Sequence, residues 1–443
     1  MFQVFRNAWK IEELRKKILF TLFILLLYRI GNAVPVPYIN SEMLANYFNT
    51  LQNTVLGLYN MMSGNAFSTA TIFALSIQPY INASIIIQLL CVAIPALERL
   101  SKEGGEEGRR KISSITRYAT VAIGLIMGTG YYFLIRNNNL LATGGSSFWA
   151  AIVIIMTFCG GAALLMWLGE QITEFGIGNG ISIILFASII SRLPTAAYRI
   201  VNNLIAGSLH VVAFIGILIG VAVIIILIVF VSNAERRIPV QYAKRVVGRR
   251  MYGGQSTYLP MKVNMSGVMP IIFAQSIASL PATVASFLRT PQAGSFGARF
   301  LNFFDTDGIP SMIIYFLLII AFGYFYATIQ FNPIEVSNNL KKNGGYIPGF
   351  SPGKPTTDFI SKVLNRVTLF GSLYLGIVAA LPIAFSGVTK TAGISLGGTS
   401  IIIAVGVAIE IVQGLENQMI MSSFDSLGAS STKRNGYIRN DKE

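Results

Sequence analysis

The segment FWAAIVIIMTFCGGAALLMWLG, residues 148–169, contains no charged side chain over 22 positions. A helix of that length measures about 33 Å, because each residue adds about 1.5 Å. This length matches the hydrocarbon core of a bilayer, which is about 30 Å thick. The segment is therefore predicted to cross a membrane as an α-helix.

Nine further apolar runs have similar character. They lie at roughly 18–34, 72–97, 117–135, 181–198, 210–232, 264–288, 309–331, 367–386 and 396–415. The run at 181–198 is the weakest, because Arg192 and Pro194 interrupt it. Only 12% of all residues are charged, whereas soluble domains carry about 25%. The pattern predicts an all-α membrane protein with ten transmembrane helices.

The charges are strongly unbalanced, with 34 Lys and Arg against 19 Asp and Glu. Such a basic chain is typical of a nucleic-acid binder or of a membrane protein with cations on one side. If the N-terminus is cytoplasmic, the cytoplasmic segments and their borders hold 27 cations and the outer ones hold six, with Arg29 inside the first span. This distribution predicts cytoplasmic N- and C-termini.

Ten spans divide into five and five, which places the second half upside down relative to the first. The predicted halves are 1–205 and 206–443. No residue-level repeat between them supports the division.

Residues suited to catalysis or metal binding are scarce. Cys91 and Cys159 lie inside apolar runs and His210 is the one histidine, so no zinc-binding pattern can be assembled. No nucleotide-binding loop is present either. We therefore predict no catalytic residue, no metal site and no cofactor. A secondary transporter remains an alternative, with Glu410 as the candidate for a charge inside a span.

The outer segment after the first span is unusual, because polar, small and apolar residues alternate between Asn46 and Thr71. A short helix folded back into a protein cavity would fit this pattern. An amphipathic helix on the membrane surface would fit it equally well. The pattern does not distinguish the two.

Polar side chains are concentrated on the second and seventh spans. They are Gln78, Asn82, Ser84 and Gln88 on the second, and Gln275, Ser276 and Ser279 on the seventh. Such residues usually hydrogen-bond to neighbouring helices. If the two spans face each other, the same residues could form a helix contact that is weak enough to open.

Six stretches closely resemble the SecY family, the channel subunits of the bacterial protein translocase. They are 72–90 (IFALSIQPYINASIIIQLL), 107–118 (EGRRKISSITRY), 166–184 (MWLGEQITEFGIGNGISII), 242–265 (YAKRVVGRRMYGGQSTYLPMKVNM), 338–349 (NNLKKNGGYIPG) and 397–400 (GGTS). The resemblance implies two five-helix halves around an hourglass pore. It further implies a bacterial plasma membrane protein that translocates unfolded secretory proteins and releases transmembrane segments into lipid.

The resemblance also implies roles for individual residues. A plug closes the outer funnel and comprises Leu56, Gly57, Leu58, Tyr59, Asn60, Met61, Met62, Ser63, Gly64, Asn65, Ala66 and Phe67. The pore ring comprises Ile77, Ile81, Leu185, Ile272 and Ile403. The polar residues of spans two and seven line a lateral gate, through which a signal sequence reaches lipid.

Two basic cytoplasmic segments, 235–262 and 332–366, match the docking loops of the family. The implied docking cations are Lys244, Arg245, Arg249, Arg250, Lys341, Lys342 and Lys354. The implied partners are the SecA motor and the ribosome, with SecE and SecG as companion subunits. Ser351 stands where the family usually has arginine, which leaves the partner contact at that position open.

Overall fold

The computed structural model describes most of the chain. The described residues are 2–50, 55–102, 104–142, 144–145, 147–207, 211–242, 245–247, 250–252, 256–265, 267–287, 309–389 and 398–439. His210 and the candidate docking residues Lys244 and Arg249 lie outside them.

The first part of the chain is helical. The helices are α1 (Phe2–Lys10), α2 (Glu12–Gly31), α3 (Ser41–Thr50), α4 (Val55–Met62), α5 (Gln78–Ala93), α6 (Pro95–Lys102), α7 (Gly105–Asn137), α8 (Phe148–Phe175), α9 (Gly180–Ile190) and α10 (Leu193–Ile205).

The second part combines helices with short strands. The elements are α11 (Val211–Asn233), β1 (Glu235–Tyr242), β2 (Arg245–Val247), β3 (Arg250–Tyr252), β4 (Ser256–Lys262), α12 (Met269–Phe287), α13 (Ile309–Gln330), α14 (Pro333–Lys342), β5 (Gly345–Tyr346), α15 (Lys354–Thr389) and α16 (Gly398–Arg439).

All ten predicted apolar runs contain helix. Among the described residues, six helices are long and apolar enough to cross a membrane, and the bent pair α5–α6 adds a seventh. The helix starting at Gly180 and α12 are apolar but shorter. The remaining run is α2, whose 20 residues begin with a charged turn. The number of membrane crossings, ten, stays a prediction.

Two of the runs are not continuous helices, for local reasons. The second run bends by 106° between α5 and α6, where Ile94 is extended at φ −108° and ψ 114°. Pro95 follows Ile94, and a proline disfavours the helical conformation of the residue before it. The fifth run breaks between Ile190 and Leu193, which is where Arg192 and Pro194 interrupt the sequence.

The chain forms two compact units. The first comprises Met1–Tyr47, Asn60–Arg192 and Val407–Glu443, and the second comprises Phe48–Tyr59 and Leu193–Gly406. The predicted halves, 1–205 and 206–443, stay a prediction.

In the first unit, α5, α7 and α8 pack side by side, and α8 also contacts α9. Glycine permits two of the closest approaches. A Cβ added at Gly161 would lie 2.0 Å from the carbonyl oxygen of Ile72, and one added at Gly180 would lie 2.0 Å from that of Gly169. Any larger residue would force the backbones apart.

In the second unit, a three-stranded sheet has the order β4–β1–β5, with both neighbours antiparallel to β1. In the β1–β4 hairpin, Glu235 pairs with Lys262 and Gln241 with Ser256. β5 lies in the segment between α14 and α15, and Gln241 pairs with its Tyr346. The two basic segments of the sequence are thus joined in one sheet.

Candidate functional site

The plug segment, residues 56–67, begins on α4 and continues through turns that are buried in protein. Leu56, Tyr59, Met62, Ala66 and Phe67 are all buried. A helix on the membrane surface would expose one face, so burial of this kind fits the folded-back helix of the two alternatives. The side chains of Leu58 and Met61 are outside the described part.

The turns of the plug segment satisfy their own backbone groups. Asn60 Oδ1 accepts from the Ser68 amide at 2.9 Å. Ser63 Oγ accepts from the Phe67 amide at 3.0 Å and donates to the Asn60 carbonyl at 3.1 Å. Irregular backbone can be buried only when its polar groups find such partners. Asn60 and Ser63 therefore allow a non-helical segment to exist inside the protein.

The backbone of this region is also strained. Asn65, Ala70 and Ser76 have φ values of 75°, 46° and 51°. Positive φ brings Cβ too close to the backbone in residues other than glycine and costs of the order of 1–2 kcal/mol each. Such strain persists only where the surrounding contacts hold the chain in place.

Two tyrosines of the first unit hold the plug segment. The ring of Phe67 stacks on Tyr131 of α7 with centroids 4.2 Å apart, and the Tyr131 hydroxyl donates to the Phe67 carbonyl. The Tyr28 hydroxyl lies 2.6 Å from Ser188 Oγ and 3.4 Å from the Ser63 carbonyl oxygen. These contacts join α2 and α7 to the plug segment, and the Tyr28 hydroxyl also links α2 to α9.

Residues of the predicted gate also reach the plug segment. In the first unit, Gln78 Nε2 at the start of α5 donates to Met62 Sδ at 2.9 Å. The plug segment therefore has a polar contact with α5, one of the two predicted gate helices.

Five of the seven predicted gate residues are buried, namely Gln78, Asn82, Gln275, Ser276 and Ser279, whereas Ser84 and Gln88 are partly exposed. Asn82 Nδ2 reaches only Met127 Sδ, at 3.9 Å, and Ser84 accepts from Gln88 at 3.1 Å. Four buried polar atoms have no partner among the described residues: Gln78 Oε1, Asn82 Oδ1, Gln275 Oε1 and Ser276 Oγ. An unpaired buried polar atom costs about 1–3 kcal/mol when neither protein nor water satisfies it.

The five predicted ring residues are all buried. In the first unit, Ile77 is the N-cap of α5, and its carbonyl accepts from the amide of Ile81, one turn later, at 3.0 Å. In the second unit, a Cβ at Gly406 of α16 would meet Val268 at 2.2 Å. Ile272 on α12 lies one turn after Val268, and Ile403 on α16 lies about one turn before Gly406. Leu185 lies on α9 in the first unit.

The two docking segments share a hydrophobic core. Ile238, Val240 and Met261 of the hairpin pack with residues of the second segment, namely Leu340, Ile347, Ile360 and Leu364. The described parts of the two segments therefore belong to one packed body. Lys341, Lys342 and Lys354 are exposed on it.

The turn between β5 and α15 is tightly held. Phe350 stacks on Phe359 of α15 with centroids 4.2 Å apart. Buried Ser337 donates to the Gly353 carbonyl at 3.1 Å, and Thr356 donates to the Ser351 carbonyl at 2.8 Å.

Arg245 and Arg250 lie on the paired strands β2 and β3 of the hairpin tip.

Comparison with known proteins identifies the family. The SecY family model matches residues 71–412. A relative from Streptomyces scabiei, named protein translocase subunit SecY, is 44% identical and the match covers 96% of this chain and 99% of the relative. This chain belongs to the SecY family. A Thermotoga maritima SecY of the same name is 42% identical over 96% of this chain and 97% of its own.

Solved structures share the fold. A structure described as a protein-conducting channel aligns with a TM-score of 0.67 at 18% identity, over 92% of this chain and 93% of its own. A SecY whose plug domain is described as stabilising the closed channel gives 0.65 at 20% identity, over 92% of both chains. Sec61 from a canine ribosome–channel complex aligns with a TM-score of 0.62 at 17% identity, over 92% of this chain and 93% of its own. This SecY-family chain is therefore an all-α, multi-pass membrane protein.

Sequence reasoning missed the residues that hold the plug segment. Tyr28, Tyr131 and Ser188 lie within or beside apolar runs, where an aromatic or a serine is ordinary. Their partners are 35 to 160 positions away in the chain. No periodicity or spacing marks such contacts.

Proposed function

We propose that this chain is the pore-forming subunit of a protein translocase in the bacterial plasma membrane. It conducts unfolded secretory proteins across the bilayer and releases apolar segments sideways into lipid. The observation that carries the proposal is the near full-length similarity to translocase subunits. The SecY family consists of channels and not of enzymes, and none of the comparisons favours a small-solute transporter.

The mechanism requires a closed state that can be opened. In our proposal the plug segment blocks the outer funnel, and Ile77, Ile81, Leu185, Ile272 and Ile403 form a narrow ring of branched aliphatic side chains. Such a ring excludes water and ions, yet its side chains can move aside for a passing chain. The burial of the plug segment and its contacts with Tyr28 and Tyr131 support this closed state.

The lateral gate lies between α5 and α12 in our proposal. A signal sequence shifts an existing equilibrium toward the open gate, and it does so only because it binds the open form better. The unpaired polar atoms of Gln78, Asn82, Gln275 and Ser276 support this role, since helices packed with unmet hydrogen bonds separate at lower cost.

The partners dock on the basic body formed by 235–262 and 332–366. Sec61, which shares this fold, is found in a ribosome–channel complex. We propose that the ribosome and the SecA motor use this surface, that SecE and SecG accompany the chain, and that both termini are cytoplasmic. Arginine suits contacts with ribosomal RNA phosphates, because its guanidinium group binds phosphate in a bidentate manner.

Reconstitution tests the function. The chain is inserted into vesicles with SecE, and SecA, ATP and a secretory precursor are added outside. We expect the precursor to become protected from protease only when ATP is present. Absence of protection, with SecA bound and its ATPase active, would contradict the proposal. Uptake of a small solute by the chain alone would favour the transporter.

Ribosome docking has its own test. We expect Arg249→Glu with Arg250→Glu to weaken ribosome binding about tenfold or more and to lower the slope of affinity against salt by about two, one for each lost phosphate contact. Co-sedimentation across a salt series measures both. Arg99→Glu with Arg109→Glu changes the same charge on exposed residues elsewhere and serves as control. Equal effects of the two pairs would exclude specific docking at the hairpin tip.

A further inference from the structure

The N-terminal helix α1 exposes an aromatic face that no part of the described chain covers. Val4 and Ala8 face inward, and Ala8 is fully buried in a core with Leu14, Ile18, Ile177 and Leu415. Phe5 and Trp9, each one position further along, are 42% and 47% exposed. Residues four apart share a helix face, so these two rings form one continuous apolar stripe.

Cations border this stripe. Arg6 and Lys10 follow Phe5 and Trp9 by one position, are both exposed, and lie beside each other because they too are four apart. Around the helix, the order is therefore a buried stripe, an aromatic stripe and a cationic stripe. A helix with an apolar face that carries Trp and Phe and a polar face that carries Lys and Arg is typical of one lying in the membrane interface.

The direction of the chain supports this position. Ile11, between α1 and α2, is extended at φ −88° and ψ 119°, so α1 does not continue the axis of the first span. On α2, Leu19, Leu22 and Leu26 form an exposed apolar stripe, and exposed Arg15 lies at its base on the same face. A cation at the base of a lipid-facing apolar stripe is expected at the headgroup level, and α1 joins the span beside Arg15.

The charge of the segment selects the lipid. Residues 1–17 contain five cations, namely Arg6, Lys10, Arg15, Lys16 and Lys17, against Glu12 and Glu13, so the side chains carry a net charge of +3. Basic segments beside a span attract anionic lipids over zwitterionic ones. We propose that α1 binds anionic phospholipid headgroups, with Phe5 and Trp9 inserted at the headgroup boundary and Arg6 and Lys10 on the lipid phosphates.

This contact bears on more than the first helix. The inward face of α1 shares its core with Ile177, in the connection between α8 and α9, and with Leu415 of α16. Lipid bound on the outer face of α1 therefore stabilises the base of the first unit. The inference requires only that the chain is a membrane protein, and it stands or falls separately from protein translocation.

Quenching of Trp9 fluorescence by brominated lipid tests the proposal. Trp149→Phe with Trp167→Phe leaves Trp9 as the only tryptophan of the full chain. The protein is reconstituted in phosphatidylcholine vesicles that contain brominated phosphatidylglycerol or brominated phosphatidylcholine, and quenching gives the relative association constant of the two lipids at Trp9. Because the lipids are present in both leaflets, the result does not depend on orientation.

We expect phosphatidylglycerol to be favoured about fivefold or more at Trp9, since each cation near an anionic surface contributes about that factor. Arg6→Gln with Lys10→Gln should lower the ratio severalfold, although Arg15, Lys16 and Lys17 remain, and 0.5 M salt should lower it as well. The matched control keeps Trp149 alone, through Trp9→Phe and Trp167→Phe, and should show no preference. Both Gln positions are exposed, so the variant should fold.

Three results would overturn the proposal. Equal quenching by the two lipids would remove the anionic preference. No quenching, with the emission of tryptophan in water, would place α1 away from the bilayer. Loss of quenching when the companion subunits are added would mean that the aromatic stripe is a protein interface.

Discussion

Truncation of Phe67 should shift the channel toward its open state. The side chain is 2% exposed and stacks on Tyr131 at 4.2 Å. Replacing a buried phenylalanine with alanine costs about 3–5 kcal/mol. If displacement of the plug segment moves Phe67 into water, this energy is lost from the closed state alone. A loss of about 3 kcal/mol lowers the ratio of closed to open channels more than 100-fold.

Conductance in planar bilayers measures this ratio. We expect Phe67→Ala channels, purified with their companion subunits, to conduct ions at rest far more often than the unaltered channel does. Tyr131→Phe is the graded control, because it keeps the stacked ring and removes one hydrogen bond. The Phe67 carbonyl still accepts from Ala70, so this loss is about 1 kcal/mol and about a fivefold change.

The relative resting conductances of the Phe67→Ala and Tyr131→Phe channels test whether burial of Phe67 stabilises the closed state. A resting conductance for Phe67→Ala equal to that of the unaltered channel, together with a lowered unfolding temperature, would refute the reasoning. Phe67 would then stabilise the fold equally in both states. A larger effect of Tyr131→Phe than of Phe67→Ala would contradict the assignment of energy to burial.

Two further changes test the ring and the packing. Ile81→Gly with Ile403→Gly should widen the proposed ring and raise the resting ion leak at least severalfold in the same bilayer assay, and unchanged conductance would exclude these residues from the constriction. Gly180→Ala should lower stability by about 3 kcal/mol, the upper end of the usual cost of overpacking, since its Cβ would lie 2.0 Å from the Gly169 carbonyl oxygen. Thermal unfolding measures this, with Gly160→Ala, whose Cβ meets nothing within 4 Å, expected to be neutral; equal effects of the two would contradict the packing argument.

The fold class could be predicted from sequence because its signal is local. An uncharged run such as 148–169 has to bury its backbone polar groups within itself, and in lipid that requires a helix. The break in the fifth run could be predicted for the same reason, since Arg192 and Pro194 interrupt the apolar run at the break itself. Membership of the family followed from six motifs, and the comparisons confirmed it.

The contacts of the candidate site could not be predicted, because they depend on residues far apart in the chain. Phe67 and Tyr131 are 64 positions apart, and Tyr28 and Ser188 are 160 apart. The sequence left two interpretations of the plug segment open, a folded-back helix and a surface helix, and only burial distinguishes them. Similarly, no pattern indicated that 235–262 and 332–366 would share one sheet and one core.

The polar atoms of the proposed gate explain how a weak ligand could open it. Gln78 Oε1 and Asn82 Oδ1 on α5 are buried without partners in the described structure, as is Gln275 Oε1 on α12. Each costs about 1–3 kcal/mol while it stays unpaired, and separation of the helices would return each to water or to the backbone of a bound chain. In our proposal these groups raise the free energy of the closed gate, which apolar side chains in their place would not do. A signal sequence then has to supply only the remaining difference between two states, because a ligand shifts an equilibrium by no more than its differential affinity for them.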